Sequence, residues 1–220
     1  MDGDDHVAAA RSVYDASAAA YVDFVGTELS DATEDAVDRS VLTSFVQLVR
    51  SADAVGKVAD LGCGPGRAAA HLARHLPDVV GVDLSFELLL RSARAHPDLP
   101  VAVGRLDELP FADDALCGVV CWYSIIYTPP ASLAPLLDEL TRVTVAGGMV
   151  LLAFHAGSGD AVVRENAHGT GTALTTHLHD VDDVRIRLDA AGLDVHACTV
   201  REPSRPHETC PQAFVIARAR

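Results

Sequence analysis

Apolar positions recur at helical spacing over the first part of the chain. Val7, Ala10, Tyr14, Ala18, Tyr21, Val22 and Val25 make a stripe across residues 7 to 25, with Asp15 and Ser17 as the places where it would divide into two helices. A polar stretch, Thr27 to Glu34, follows, and then Leu42, Phe45, Val46 and Val49 predict a second helix over roughly 34 to 52 that packs on a sheet. From Lys57 short apolar runs alternate with helical stretches, the pattern of βαβ units in a parallel sheet covered on both faces. Seven strands are predicted: Lys57 to Leu61, Val79 to Asp83, Val101 to Gly104, Leu116 to Trp122, Met149 to His155, Val195 to Arg201 and Ala213 to Arg218. Helices are predicted near Arg67 to His75, Phe86 to Ala95, Ser132 to Val143 and Val181 to Ala191, the last stopping at Gly192, and Gly147-Gly148 predicts a turn before the fifth strand. Only the proline-rich stretch Glu202 to Pro211 separates the last two strands, so they should pair as an antiparallel hairpin.

The 220 residues, 49% of them hydrophobic, suit one domain: a helical cap and first sheet-packing helix (1–52), a half containing the first five strands (53–155), and a lid with the C-terminal hairpin (156–220). No run of about 18 apolar residues is present to span a bilayer, and the start Met1-Asp2-Gly3-Asp4-Asp5-His6 lacks the segments of a secretory signal. A cytoplasmic protein with no membrane partner is expected. Thirty-one acidic against 17 basic residues give a formal charge of -14, and no basic face interleaved with aromatics offsets it. Small-molecule substrates are therefore expected and nucleic acid is not. The five cysteines form no C-x-x-C pair, which points to reduced thiols and no zinc site; His177 and His179 likewise lack a pattern that would complete a ligand set. The single lysine, Lys57, with abundant alanine and valine, suggests a GC-rich bacterial genome, and a monomer or homodimer is expected.

Chemistry concentrates after the first predicted strand. Val58-Ala59-Asp60-Leu61 runs into Gly62-Cys63-Gly64-Pro65-Gly66 and then a helix, whose free N–H groups face whatever lies above the strand's carboxyl end. Asp83 ends the second strand about 20 residues on, where a carboxylate can accept ribose hydroxyls. The spacing is G-x-G-x-G, with Arg67 where a dinucleotide fingerprint has its third glycine, and Asp60 suits an amino-acid ammonium better than a pyrophosphate.

At these residues the chain resembles the class I S-adenosylmethionine-dependent methyltransferases. Val58 to Gly66 is similar to that family's first motif and Gly81-Val82-Asp83-Leu84-Ser85 to its second. Gly104 to Phe111 resembles the segment that holds adenine, with Arg105 where many members have an acid, and Leu140 to Gly148 resembles the approach to the fifth strand. The resemblance implies a three-layer, Rossmann-like α/β fold with a mostly parallel sheet, an antiparallel last strand and an N-terminal helical cap. It implies S-adenosyl-L-methionine as cofactor, held by Tyr14, Tyr21, Asp60, Gly62, Cys63, Gly64, Gly66, Asp83, Leu84, Arg105, Leu106, Tyr123 and Ser124, with an early tyrosine closing over the methionine end.

The acceptor is expected beside Trp122 to Pro130, at the carboxyl end of the fourth strand, where Tyr123 and Tyr127 can orient it; Trp122 reads as core. An alcohol or phenol also needs a base, and His155 at the end of the fifth strand is the first candidate, with Tyr127 beside it. The glycine-rich stretch Ala156 to Asp180, with His168, His177 and His179, reads as a lid or acceptor pocket, and His207 and Cys210 as surface residues. Methyl transfer to a small O-, N- or C-nucleophile is the expected function. The alternatives left open are a cofactor-binding protein of this fold that does not methylate and an NAD(P)-dependent oxidoreductase.

Overall fold

A computed structural model describes residues 5–169 and 171–220 of the chain; the expectation about a leader at Met1 to Asp4 lies outside them. Two helices come first, α1 (Asp5–Val25) and α2 (Ala36–Ser51). Strands and helices then alternate: β1 (Lys57–Leu61), α3 (Arg67–Ala73), β2 (Val79–Asp83), α4 (Phe86–Ala95), β3 (Val101–Val103), β4 (Leu116–Trp122), α5 (Leu133–Val143) and β5 (Thr144–His155). The remainder is β6 (Ala161–Arg164), β7 (Leu174–His177), α6 (Val181–Ala190), β8 (Leu193–Arg201) and β9 (Gln212–Ala219).

Seven strands form one sheet in the order β3-β2-β1-β4-β5-β9-β8, with β1 to β5 parallel and β9 antiparallel to both its neighbours. Strand order reverses between β1 and β4, so a crevice opens above their carboxyl ends, the general ligand position of doubly wound sheets. The strands read as continuous apolar runs because helices cover both faces. Alternate residues serve opposite layers. Val119, Leu152 and Val215 pack with Leu137 of α5 and Val184 of α6, whereas Val120, Leu151 and Phe214 pack with Phe45 of α2 and Leu72 of α3.

Three local expectations change. Helix α1 does not divide at Asp15 and Ser17: Asp15 Oδ1 accepts from the Ser85 hydroxyl at 2.6 Å and from the Glu87 N–H at 3.3 Å, and Ser17 is buried. The acid that would weaken the helix locally is here satisfied by the start of α4, while the Ser17 hydroxyl is buried without a hydrogen-bond partner among the described residues. Strand β5 starts five residues early, at Thr144, and carries Gly147-Gly148 within it; Leu116 pairs with Thr144 and Gly118 with Met149, so residues 145–148 bulge out and the predicted turn becomes an irregularity inside the strand. The stretch 156–180 holds a two-stranded antiparallel sheet, β6 with β7, each only four residues long and too short to show a period in sequence. No helix among the described residues is long and apolar enough to cross a membrane.

Helix α1 and the β6–β7 hairpin meet over the crevice, where Ala10, Val13, Tyr14 and Ala18 pack with Leu88, Ala167 and Leu174.

Candidate functional site

The loop after β1 is fastened to the end of β2. Gly64 donates its N–H to Asp83 Oδ2 at 2.7 Å and Ser85 donates to Asp83 Oδ1 at 2.8 Å. Burial raises the Asp83 pKa, and these backbone donors oppose the rise by favouring the carboxylate. Gly64 has a left-handed φ of 53°, and a Cβ there would clash with nothing, meeting only Tyr21 Cε1 in van der Waals contact at 3.7 Å. That side of the loop is a bare backbone surface which a ligand can approach.

A cavity of about 730 Å³ lies above the carboxyl ends of β1, β2, β4 and β5. Twelve of the fifteen predicted site residues line it: Tyr14, Tyr21, Gly62, Gly64, Asp83, Leu84, Arg105, Leu106, Tyr123, Ser124, Tyr127 and His155. Asp60, Cys63 and Gly66 do not. Asp60 points beneath the loop, fully buried, where Oδ2 accepts the Ala69 N–H at 2.8 Å; burial pushes its pKa up to about 7 against that hydrogen bond. It anchors α3 from inside, while its other oxygen, Oδ1, is buried without a hydrogen-bond partner among the described residues. The Cys63 thiol is buried against Gly81, where an added Cβ would meet its sulfur at 2.8 Å. Gly66, at φ 86°, is the N-cap of α3, and a Cβ there would run into the Ser92 hydroxyl and lie 3.0 Å from His96. Its glycine serves the packing of α3 on α4.

Arg105 is spent locally, its Nε and Nη2 each donating to Asp107 at 2.9 Å. Trp122, read as core, lines the cavity and packs against Tyr123 and Phe214 with ring centroids 5.6 and 5.5 Å away. His207 and Cys210, read as surface residues, also line it, whereas His177 and His179 do not. The buried His179 ring instead bonds through Nε2 to the Ile125 carbonyl at 3.2 Å.

The roof is aromatic. Tyr14 and Tyr127 share a hydrogen bond between their hydroxyls, and the Tyr14 ring lies 5.0 Å from Tyr21 and 5.5 Å from Tyr127, both edge to face. His168 joins them, 5.6 Å from Tyr14 and 5.0 Å from Tyr21. Burial raises the pKa of Tyr14, Tyr21 and Tyr127, so these remain neutral phenols. On the floor Tyr123 adopts φ 61°, a conformation side-chain-bearing residues seldom hold, and its ring sits 5.7 Å from His155. Burial, aided by the charge of Arg164, pulls the His155 pKa down to about 4, so its imidazole is neutral at physiological pH.

One wall is charged. Arg201 donates from Nε and Nη2 to Asp38 at 2.5 and 2.7 Å, and from Nη1 and Nη2 to Glu208 at 2.8 and 2.6 Å. Despite burial, which acts the other way, the Arg201 bonds and two backbone donors hold Glu208 down at about 2. Arg67, at the start of α3, pairs with the buried Glu34. Glu34, Asp38, Arg164 and Glu208 all face the cavity and were not among the predicted site residues, because each comes from a different segment and none belongs to a local motif.

Residues 58–148 match a family model described as a methyltransferase domain. The chain is 36% identical over 95 residues to a malonyl-[acyl-carrier protein] O-methyltransferase of Erwinia billingiae, covering 43% of this chain and 37% of that one. It is 35% identical over 97 residues to a demethylmenaquinone methyltransferase of Beutenbergia cavernae (44% and 40%) and 30% identical over 167 residues to the methyltransferase GfsG of Streptomyces halstedii (68% and 57%). The matches thus span less than two thirds of these relatives. Among solved structures, the 1,6-didemethyltoxoflavin-N1-methyltransferase of Burkholderia thailandensis superposes with a TM-score of 0.72 at 16% identity, covering 100% of this chain and 91% of that one. The magnesium protoporphyrin IX methyltransferase of Synechocystis gives the same TM-score of 0.72 at 16% identity (98% and 100%). Matched domain, relatives and sheet order agree with the glycine loop and Asp83: residues 58–148 are a methyltransferase domain, and the chain has the fold of S-adenosylmethionine-dependent methyltransferases.

Proposed function

We propose that this chain transfers the methyl group of S-adenosyl-L-methionine to a small-molecule acceptor. One observation carries the reading: a single cavity joins the Gly64–Asp83 edge to the Tyr123, Tyr127 and His155 end, so donor and acceptor have adjoining places. The cavity side of Gly64 and the Asp83 carboxylate fit a nucleoside with an amino-acid tail. In this reading Gly62, Gly64 and Ser124 border the methionine end, Asp83 takes the ribose, and Leu84, Leu106 and the Arg105 backbone border adenine. Tyr14 and Tyr21 offer ring faces to the sulfonium, an attraction of about 0.5 to 2 kcal/mol depending on how dry the site is.

The bound cofactor supplies an already activated methyl group. What the chain must add is alignment and the exclusion of water. Helix α1 and the β6–β7 hairpin roof the cavity for that purpose. A hydroxyl acceptor must also lose its proton, and the neutral His155 imidazole is available to take it, with Tyr127 orienting the acceptor oxygen. Residues 1–52, 53–155 and 156–220 then act as cap, cofactor half and acceptor half of one domain. Its charge of -14 supports a small molecule over nucleic acid, and its five free cysteines, three of them buried, support a reducing bacterial cytoplasm. A monomer or homodimer with no membrane partner completes the reading.

Calorimetry with S-adenosylmethionine and with NADH tests the cofactor: the sulfonium nucleotide should bind and NADH should not. Incubation with labelled cofactor and a panel of small phenols, amines and carboxylates tests transfer. NADH binding alone, or cofactor binding without transfer to any acceptor, would overturn the proposal.

A further inference from the structure

We infer that the acceptor end of the cavity is a carboxylate site anchored by Arg164, so that the methyl acceptor is a small organic acid. Four arginines line the cavity: Arg11, Arg67, Arg105 and Arg164. In a chain with 31 acidic and 17 basic residues, carboxylate partners are plentiful, and three of the four have one: Asp15 for Arg11 at 3.6 Å, Glu34 for Arg67, and Asp107 for Arg105 at 2.9 Å. Arg164 makes no ion pair or side-chain hydrogen bond with any described residue. It closes β6 and pairs in register with Leu174 of β7, whose buried side chain packs beneath α1, so its backbone is held at the cavity mouth.

The exposed Arg164 lines the cavity together with Tyr127, His155, His168 and Cys210, and its charge acts on all four. The carboxylates of the charged wall, Asp38 and Glu208, each already have both oxygens bonded to Arg201. Burial lowers the pKa of His155 and His168, which leaves Arg164 as the fixed positive charge among these neighbours. A single planar guanidinium suits a carboxylate monoanion, which it can bind through two parallel hydrogen bonds. The adjacent rings of Tyr14, Tyr127 and His168 suit a flat carbon frame behind that carboxylate.

That the bound acid is the methyl acceptor rests on the proposed methyl transfer; the carboxylate site itself does not. The test is calorimetric binding of benzoate and 4-hydroxybenzoate against benzamide and 4-hydroxybenzamide to the full chain, with and without S-adenosylmethionine, and to Arg164→Gln and Arg164→Lys. The acids should bind the parent at least about tenfold more tightly than the amides, as expected for one charge-assisted bidentate contact. Arg164→Gln should abolish the preference and Arg164→Lys should keep part of it, while both variants retain the parent's thermal transition. Equal binding of acids and amides, a preference that survives Arg164→Gln, or no binding of the acids up to their solubility would overturn the inference. If S-adenosylmethionine fails to bind while the acid preference still follows Arg164, the methyl-transfer proposal falls and the carboxylate site stands.

Discussion

Gly64 and Asp83, 19 residues apart, are joined by a hydrogen bond of 2.7 Å from the glycine N–H to carboxylate oxygen Oδ2. The bond fastens the glycine loop to the end of β2, so the two features of the proposed nucleoside site are tied together. Asp83 therefore supports the loop's shape as well as offering an acceptor to a ligand. Replacing it with alanine would remove both, and Asp83→Asn, which keeps one acceptor oxygen, separates them better. Asp83→Asn is expected to weaken S-adenosylmethionine binding at least about tenfold, the scale of one charged hydrogen bond, with a smaller loss of stability. Calorimetry and chemical unfolding on the same preparation check this; unchanged affinity in a folded variant would remove Asp83 from the ribose role.

Gly64 and Gly66 share a left-handed backbone but serve different ends. Gly66→Ala combines strain at φ 86° with a collision against the Ser92 hydroxyl and is expected to cost about 2 kcal/mol or more of stability. Gly64→Ala has room for its methyl group and should cost about 1 kcal/mol, while obstructing the cavity face of the loop and weakening cofactor binding. Denaturant midpoints alongside calorimetry would show the two variants ranked oppositely by the two measurements; the same rank in both would refute the division of roles.

Asp60, with a pKa of about 7 in the folded chain against about 4 unfolded, is protonated more readily when folded. Its contribution to stability is complete below pH 4 and is lost as pH rises towards 7. Asp60→Asn, which mimics the neutral form, should flatten that part of the stability profile and be relatively more stable at pH 8 than at pH 4. Urea unfolding of parent and variant from pH 4 to 8 measures this, and parallel profiles would show that Asp60 titrates normally.

Because burial disfavours the imidazolium, His155 keeps its base form down to about pH 4. If it accepts the acceptor's proton, kcat/KM should stay flat from pH 7 to 5 and fall only near 4, not near the ordinary histidine value of about 6.5. His155→Asn should lower kcat by a factor of about 100 to 10,000 for hydroxyl acceptors, and much less for an acceptor that is already ionised. A limb near 6.5 that persists in the variant would assign it to another group.

Asp38 and Arg201 are both buried and bonded through two contacts. Asp38→Ala is expected to cost about 3 kcal/mol, the lower end for breaking a buried pair, since Glu208 still partners the guanidinium. Equilibrium unfolding checks this. A loss below about 0.5 kcal/mol, ordinary for a surface substitution, would show that the pair does not hold α2 to β8.

The strands and most helices were legible because their signal is local: apolar runs and spacings three and four apart record which side of each element is buried. Gly62 to Gly66 and Asp83 were legible for the same reason, as a loop and a strand end a fixed distance apart. Helix α1 was harder, since the partners that satisfy Asp15 lie some 70 residues away in α4, and the β6–β7 hairpin was too short to display a period. Asp60 shows the limit inside the motif itself: its type and position suggest an exposed charge, and only packing turns it beneath the loop.

By itself the sequence determined the α/β class, the order of elements, the antiparallel ending and the glycine loop with Asp83 at the end of the next strand, because these follow from periodicity and from short-range geometry. The tertiary structure decided which loop residues face the cavity, the Tyr14–Tyr127 contact that closes its roof, the charged wall whose Asp38 is bonded to Arg201 from 163 residues away, and the place of Arg164, without an ion pair among the described residues, at its mouth. Those depend on which distant segments are brought side by side, and side-chain pairing across such separations leaves no mark on the local pattern that the sequence displays.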